Sequence, residues 1–145
     1  MSAVLLDVNV LVALLWKTHE DHARVQHWFV RNSPKGWATC PFTQAGFVRI
    51  SSNPASTPNA VKPAEAIEIL NKDLVHLTHQ FWKDAISVAE AIKPFETRLV
   101  GHRQVTYAYL LGLAMHNKGK FATMDRAVLG LLSEKDRERG PVELI

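Results

Sequence analysis

The feature that most constrains this chain is a repeated alternation. Short apolar runs of strand length alternate with longer stretches of helical periodicity. The runs are Ala3–Leu6, Trp37–Cys40, Phe121–Met124 and Val142–Ile145, with a weaker one at Val75–Thr78. Helical patterns fill Val8–Trp16, His19–Asn32, Thr43–Ser51, Ala64–Lys72, Trp82–Ile92, Arg103–His116 and Arg126–Leu132. In His19–Asn32 the spacing of Ala23, Gln26/His27 and Val30 suggests the buried stripe, with Trp28 and Phe29 adding apolar bulk. Ser33-Pro34-Lys35-Gly36 breaks that helix, Pro63 opens the fourth, and Gly119 reads as the stop after His116. Strands alternating with helices predict an α/β fold: a three-layer α/β/α sandwich around a mostly parallel sheet. In such sheets, sites form beyond the carboxyl ends of the strands.

That rule gives meaning to two acids. Asp7 stands inside VLLDVNVLVALL and Asp125 inside KFATMDRAVLGLL, each between a strand and a helix. A carboxylate in an apolar run costs free energy unless something holds it there. If the two strands are parallel neighbours, both acids emerge on one edge and repel unless a cation or proton lies between them. Oxygen ligands of this kind suit Mg2+ or Mn2+, which could clamp a phosphodiester and acidify an attacking water. Helix capping accounts for the same residues equally simply, since Asp is a favoured N-cap. Both readings stand at this point.

Composition narrows the class. The 145 residues suffice for one domain, and 47% are hydrophobic, enough for a packed core. No apolar stretch has membrane-spanning length, and the N-terminus does not read as a signal peptide. The lone cysteine, Cys40, cannot form an internal disulfide; it reads as a small buried apolar residue, and a cytoplasmic location is expected. A formal charge of +3 permits nucleic-acid binding without arguing for it. SEKDRERG reads as a solvated turn or helix end. His19-Glu20-Asp21-His22 would place two imidazoles on one helix face, but without a third ligand they read as exposed surface histidines. No glycine-rich phosphate loop, serine elbow or Cys/His motif is present.

Taken together, LLDVNVL, TCPFTQAGFVRISSNP at 39–54 and HRQVTYAYLLGLAMHNKGKFATMDR at 102–126 resemble a PIN domain, and more closely a VapC-type ribonuclease toxin of a toxin–antitoxin pair. The resemblance runs in order from Leu5 to about Leu132. It implies a Mg2+- or Mn2+-dependent endoribonuclease, a VapB-like antitoxin whose tail lies near the site, and a homodimer. Asp7 matches the family's first acid; Asp125, in Thr-x-Asp with Thr123, matches the last. Both are implied as metal-binding and catalytic residues. Asn9 and Arg49 match polar positions near the site: Asn9 would orient a carboxylate or water, and Arg49 would pair with an acid or a phosphate.

Two positions depart from the pattern. Gln44 stands where the family usually carries Glu, and Tyr107 where it usually carries Asp. Gln44 keeps an oxygen but loses the charge. A phenol with a pKa of about 10 cannot replace a carboxylate ligand. A site reduced from four acids to two implies weak Mg2+ binding, on the order of millimolar or weaker. It also implies impaired cleavage, or an inactive PIN domain that still binds RNA or an antitoxin peptide. A plain structural module, with aspartates that only cap helices, is the third reading.

Overall fold

The computed structural model describes residues 2–145. Five parallel strands form one sheet: β1 (Val4–Leu6), β2 (Trp37–Thr39), β3 (His79–Phe81), β4 (Lys120–Thr123) and β5 (Val142–Leu144), in the order β3-β2-β1-β4-β5. Seven α-helices surround it: α1 (Val8–Leu15), α2 (His22–Asn32), α3 (Pro41–Ser51), α4 (Pro63–Leu74), α5 (Val88–Ile92), α6 (Val105–His116) and α7 (Glu134–Glu138). The expected α/β/α sandwich is therefore present, with an all-parallel sheet.

The inner strands β1, β2 and β4 are largely apolar because both faces are covered. Side chains alternate between faces. Leu5, Ala38 and Phe121 pack with α5 and α6 on one side. Val4, Leu6, Trp37 and Ala122 pack with α1, α2, α3 and α4 on the other. Val4 pairs with Trp37 on one flank and Lys120 on the other, so β1 is central. Cys40 is free and wholly buried, as expected of a small apolar residue.

The element boundaries differ from expectation in informative places. The third strand is His79–Phe81, not Val75–Thr78. Val75 and Leu77 stand 80% and 100% exposed in the turn after α4, whereas Trp37 and Thr39 pair with His79 and Phe81. Apolarity was a poor guide on this edge strand, which has one neighbour. The helix expected over Trp82–Ile92 is only Val88–Ile92. Trp82 instead extends the sheet, donating its N–H to the Thr39 carbonyl at 2.8 Å, and its side chain is buried. Ser87 caps the short helix that follows, accepting from the Glu90 N–H at 3.1 Å. The segment expected as a helix over Arg126–Leu132 is a 3-10 helix, Arg126–Leu131.

In α2 the stripe of Ala23, Gln26, His27 and Val30 faces solvent; Val25 is buried, with Trp28 and Phe29 packed around it. The helix starts at His22, so His19 and His22 do not share a helix face. Neither is a free surface group: His22 Nδ1 bonds the Ala13 carbonyl at 2.8 Å, and His19 Nδ1 accepts from the Asp21 N–H at 3.0 Å. The stop after α6 is made by Lys118, at φ 57°, rather than by Gly119. Gly119 N–H then closes on the Ala114 carbonyl at 2.8 Å and Lys118 N–H on Met115 at 3.0 Å. Gly119 is required for a different reason: a Cβ there would sit 2.5 Å from the Ala3 carbonyl oxygen.

Candidate functional site

Because β1 and β4 are parallel neighbours, Asp7 and Asp125 both leave the sheet at its carboxyl edge. The Asp7 N–H donates to the Ala122 carbonyl at 2.9 Å, which holds the backbone of Asp7 against β4. Its side chain turns back on the first helix: Oδ1 accepts the Val8 N–H at 2.7 Å. Asp125 does the same one strand over, Oδ1 accepting the Ala127 N–H at 2.9 Å. Both acids are thus N-caps.

Capping is not all that they do. Thr123, the wholly buried last residue of β4, ties them together. Its hydroxyl donates to Asp7 Oδ2 at 2.7 Å and accepts the Asp125 backbone N–H at 3.1 Å. Asn9, in the first turn of α1, completes the clamp. Its Nδ2 donates to Thr123 Oγ1 at 3.3 Å and its Oδ1 accepts the Met124 N–H at 3.4 Å. Asn9 therefore acts on the Asp7 carboxylate through Thr123. Burial pushes the Asp7 carboxyl above the ordinary range; the bonds from Thr123 and Val8 oppose this, and the charge of Asp125 adds to it.

The departing positions lie around this pair. Gln44 is in the first turn of α3, which packs so closely on α1 that a Cβ at Gly46 would sit 2.6 Å from Val8 Cγ2. Its Nε2 donates to Thr39 Oγ1 at 2.9 Å. Tyr107, in the first turn of α6, is half-buried against the core. Its phenol is pushed upward by burial first and by the charge of Asp125 second, with a bond to the Gln104 side chain opposing. Tyr107 therefore lies within electrostatic reach of Asp125. Arg49 is not gathered in: it is exposed on the last turn of α3 and forms no ion pair with an acid among the described residues.

Two further side-chain pairs carry no signal in the sequence: Thr39, at the end of β2, with His79, at the start of β3, and Asp84 with Tyr109. Thr39 Oγ1 bonds His79 Nε2 at 2.8 Å. The Tyr109 hydroxyl donates to Asp84 Oδ1 at 2.9 Å, and burial together with Asp84 pushes that phenol up to about 12. Only the spacing of β2, β3 and α6 in three dimensions brings these residues together.

The donor set bears on a metal. Among the described residues no cluster of three or more His, Cys, Asp or Glu side chains could hold an ion. An all-protein cage is therefore absent. Two carboxylates at the ends of neighbouring strands, one of them with its pKa raised by burial and to a lesser degree by the other's charge, do fit Mg2+ or Mn2+, since Mg2+ is commonly held by one or two carboxylates plus waters and substrate phosphates.

Ribonuclease VapC38 of Mycobacterium tuberculosis is 44% identical to this chain over 141 residues, covering 97% of the chain and 96% of that protein. The chain belongs to the VapC ribonuclease family. Ribonucleases VapC44 and VapC29 of the same organism are 41% and 37% identical over 124 and 129 residues, covering 86% and 88% of this chain and 87% and 90% of theirs. No family model matches the chain. Among solved structures, the VapBC2 complex of Rickettsia felis bound to a DNA fragment from its promoter has a chain with the same fold, at a TM-score of 0.58 and 12% identity, covering 99% of this chain and 98% of that one. This PIN-like VapC fold places Asp7 and Asp125 together at the sheet edge where the resemblance expects them.

Proposed function

We propose that this chain is the toxin of a VapBC-type toxin–antitoxin pair, a divalent-metal-dependent endoribonuclease whose 145 residues act as one PIN-like domain. The observation that carries this reading is the convergence of Asp7 and Asp125 on Thr123, at the carboxyl edge of a chain 44% identical to a ribonuclease over nearly its whole length. Asp7 and Asp125 would hold Mg2+, or Mn2+ in its place. When bound, the ion supplies charge neutralisation for a phosphodiester and a more acidic water. Thr123 holds one oxygen of Asp7 by its hydroxyl, and Asn9 fixes Thr123. The Asp7 carboxylate is thereby held in place, while the exposed Asp125 is positioned by its backbone bond to Thr123 and by its cap bond from Ala127. Gln44 contributes a neutral oxygen, and the exposed Arg49 is available for an RNA phosphate rather than an acid.

Gln44 and Tyr107 leave the pair two carboxylates short of the family pattern, so the ion binds weakly and RNA phosphates complete its shell. The same two residues favour a second reading, a catalytically inactive domain that binds RNA or an antitoxin peptide. A VapB-like antitoxin and a homodimer are the partners. Among the described residues no helix is long and apolar enough to cross a membrane.

The test is RNA cleavage by the purified chain, with Mg2+ or Mn2+ and with chelator, beside Asp7→Asn. Metal-dependent cleavage that falls at least about 100-fold in Asp7→Asn, in keeping with loss of a group that acts in the transition state, supports the nuclease. RNA or antitoxin binding without cleavage by folded protein supports the second reading.

A further inference from the structure

The end of β2 carries a polar chain that the Asp7–Thr123 cluster does not use. Thr39 is wholly buried, and its Oγ1 has two partners among the described residues: Gln44 Nε2 at 2.9 Å and His79 Nε2 at 2.8 Å. An amide nitrogen only donates, so Thr39 Oγ1 accepts from Gln44. The threonine is closed to water, so its own proton has one acceptor, His79 Nε2. That ring nitrogen is therefore unprotonated. The chain thus has a direction, Gln44 to Thr39 and Thr39 to His79, and its second link requires a bare Nε2. The Leu74 backbone acts the other way and favours a protonated ring.

The surroundings of the ring agree. β2 contributes the indole of Trp37, 4.6 Å away between centroids, and no charge. The turn after α4 contributes His76. Burial holds His79 below the ordinary histidine range; the Leu74 carbonyl opposes this and the charge of His76 adds to it.

We propose that His79 is a positioning residue of the nuclease site. Acting through Thr39, it ties down the nitrogen of the Gln44 carboxamide and leaves Oε1 as the acceptor at the carboxyl edge, beside α1 and Asp7. The proposal rests on the ribonuclease reading of that edge. Oε1 has no protein partner among the described residues and is not sealed from solvent, since no buried side-chain polar atom there lacks one. Positions 44 and 79 are thereby coupled. An ionised carboxylate at 44 cannot donate, so the Thr39 hydroxyl would turn to it, His79 Nε2 would have to donate, and the new charge at 44 together with the Leu74 backbone would favour an imidazolium.

The experiment is nitrogen-15 NMR of the histidine rings in the full-length, metal-free chain, with RNA cleavage in parallel. In the unaltered chain His79 is expected to be neutral, with Nε2 bare and Nδ1 protonated. In Gln44→Glu both nitrogens carry protons and the His79 pKa rises by about one unit or more, a tenfold or larger gain in proton affinity. Thr39→Val, nearly the same shape, breaks the chain without opening a cavity. It is expected to lower kcat/KM about tenfold, as loss of a supporting partner does. It should add nothing to the loss in Gln44→Ala. A protonated Nε2 in the unaltered chain, an unchanged His79 in Gln44→Glu, or a Thr39→Val loss that adds fully to that of Gln44→Ala would overturn the proposal. If the unaltered chain does not cut RNA, the ribonuclease reading itself fails; if it cuts and Thr39→Val cuts equally well, only the positioning role fails.

Discussion

Asp7 serves the fold and the site at once, and the two roles conflict. As an N-cap it accepts the Val8 N–H, and it takes the Thr123 hydroxyl as well. Yet burial and the nearby Asp125 charge raise its pKa, so protonation is more favourable in the folded state than in the unfolded one. A carboxyl with a raised folded pKa contributes stability that is present below its ordinary value and lost as pH rises through the folded value. Asparagine keeps the Val8 N–H bond through its Oδ1 and removes the charge, but its amide nitrogen cannot accept the Thr123 hydroxyl. In chelator, the stability of Asp7→Asn relative to the unaltered chain is therefore expected to rise as pH rises through the aspartate range, on top of a constant loss of one hydrogen bond. Denaturant unfolding of the two proteins across pH checks this. A relative stability of Asp7→Asn that falls as pH rises would mean that the buried charge is stabilised, not strained.

At the scale of elements, the site depends on close helix packing that two glycines permit. A Cβ on Gly46 would meet Val8, moving α3 and Gln44 away from the helix that Asp7 caps. At Gly112 a Cβ would lie 2.1 Å from the Ala91 carbonyl oxygen, backbone that cannot give way cheaply. Gly112→Ala is expected to cost about 1–3 kcal/mol in thermal or denaturant unfolding, as overpacking does. A neutral result would show that α5 and α6 slide freely. Helices and buried strands with strong patterns were legible in the sequence: β1, β2, β4, α1, α3, α4 and α6 lie within a few residues of expectation. What was not legible was decided by tertiary position. Strand β3 pairs on one side, so exposed Val75 and Leu77 were more apolar than parts of the true strand. The stripe in α2 was read one step around the helix because Trp28 and Phe29 were treated as additions to it, although they flank buried Val25.

At the scale of the whole molecule, the carboxyl edge gathers residues that lie far apart in sequence. The pair of aspartates was legible because each sits in a strand–Asp–helix unit, and their shared threonine lay inside the matching motif. The Thr39–His79 and Asp84–Tyr109 contacts were not legible, because neither pair has local spacing that distinguishes it from surface or core residues. The family pattern did locate the position of Tyr107 beside Asp125, and the charge of Asp125 reaches its phenol. The central claim is that this edge is a VapC nuclease site depleted of acids, and metal dependence is where depletion shows. The most direct measurement is RNA cleavage rate against Mn2+ concentration for the unaltered chain and for Tyr107→Asp. A restored carboxylate should lower the half-saturating Mn2+ concentration about tenfold or more and raise the rate, since each added ligand charge strengthens a hard cation's binding. Identical curves for the two proteins, or cleavage that persists when Asp7→Asn is added to Tyr107→Asp, would contradict the claim.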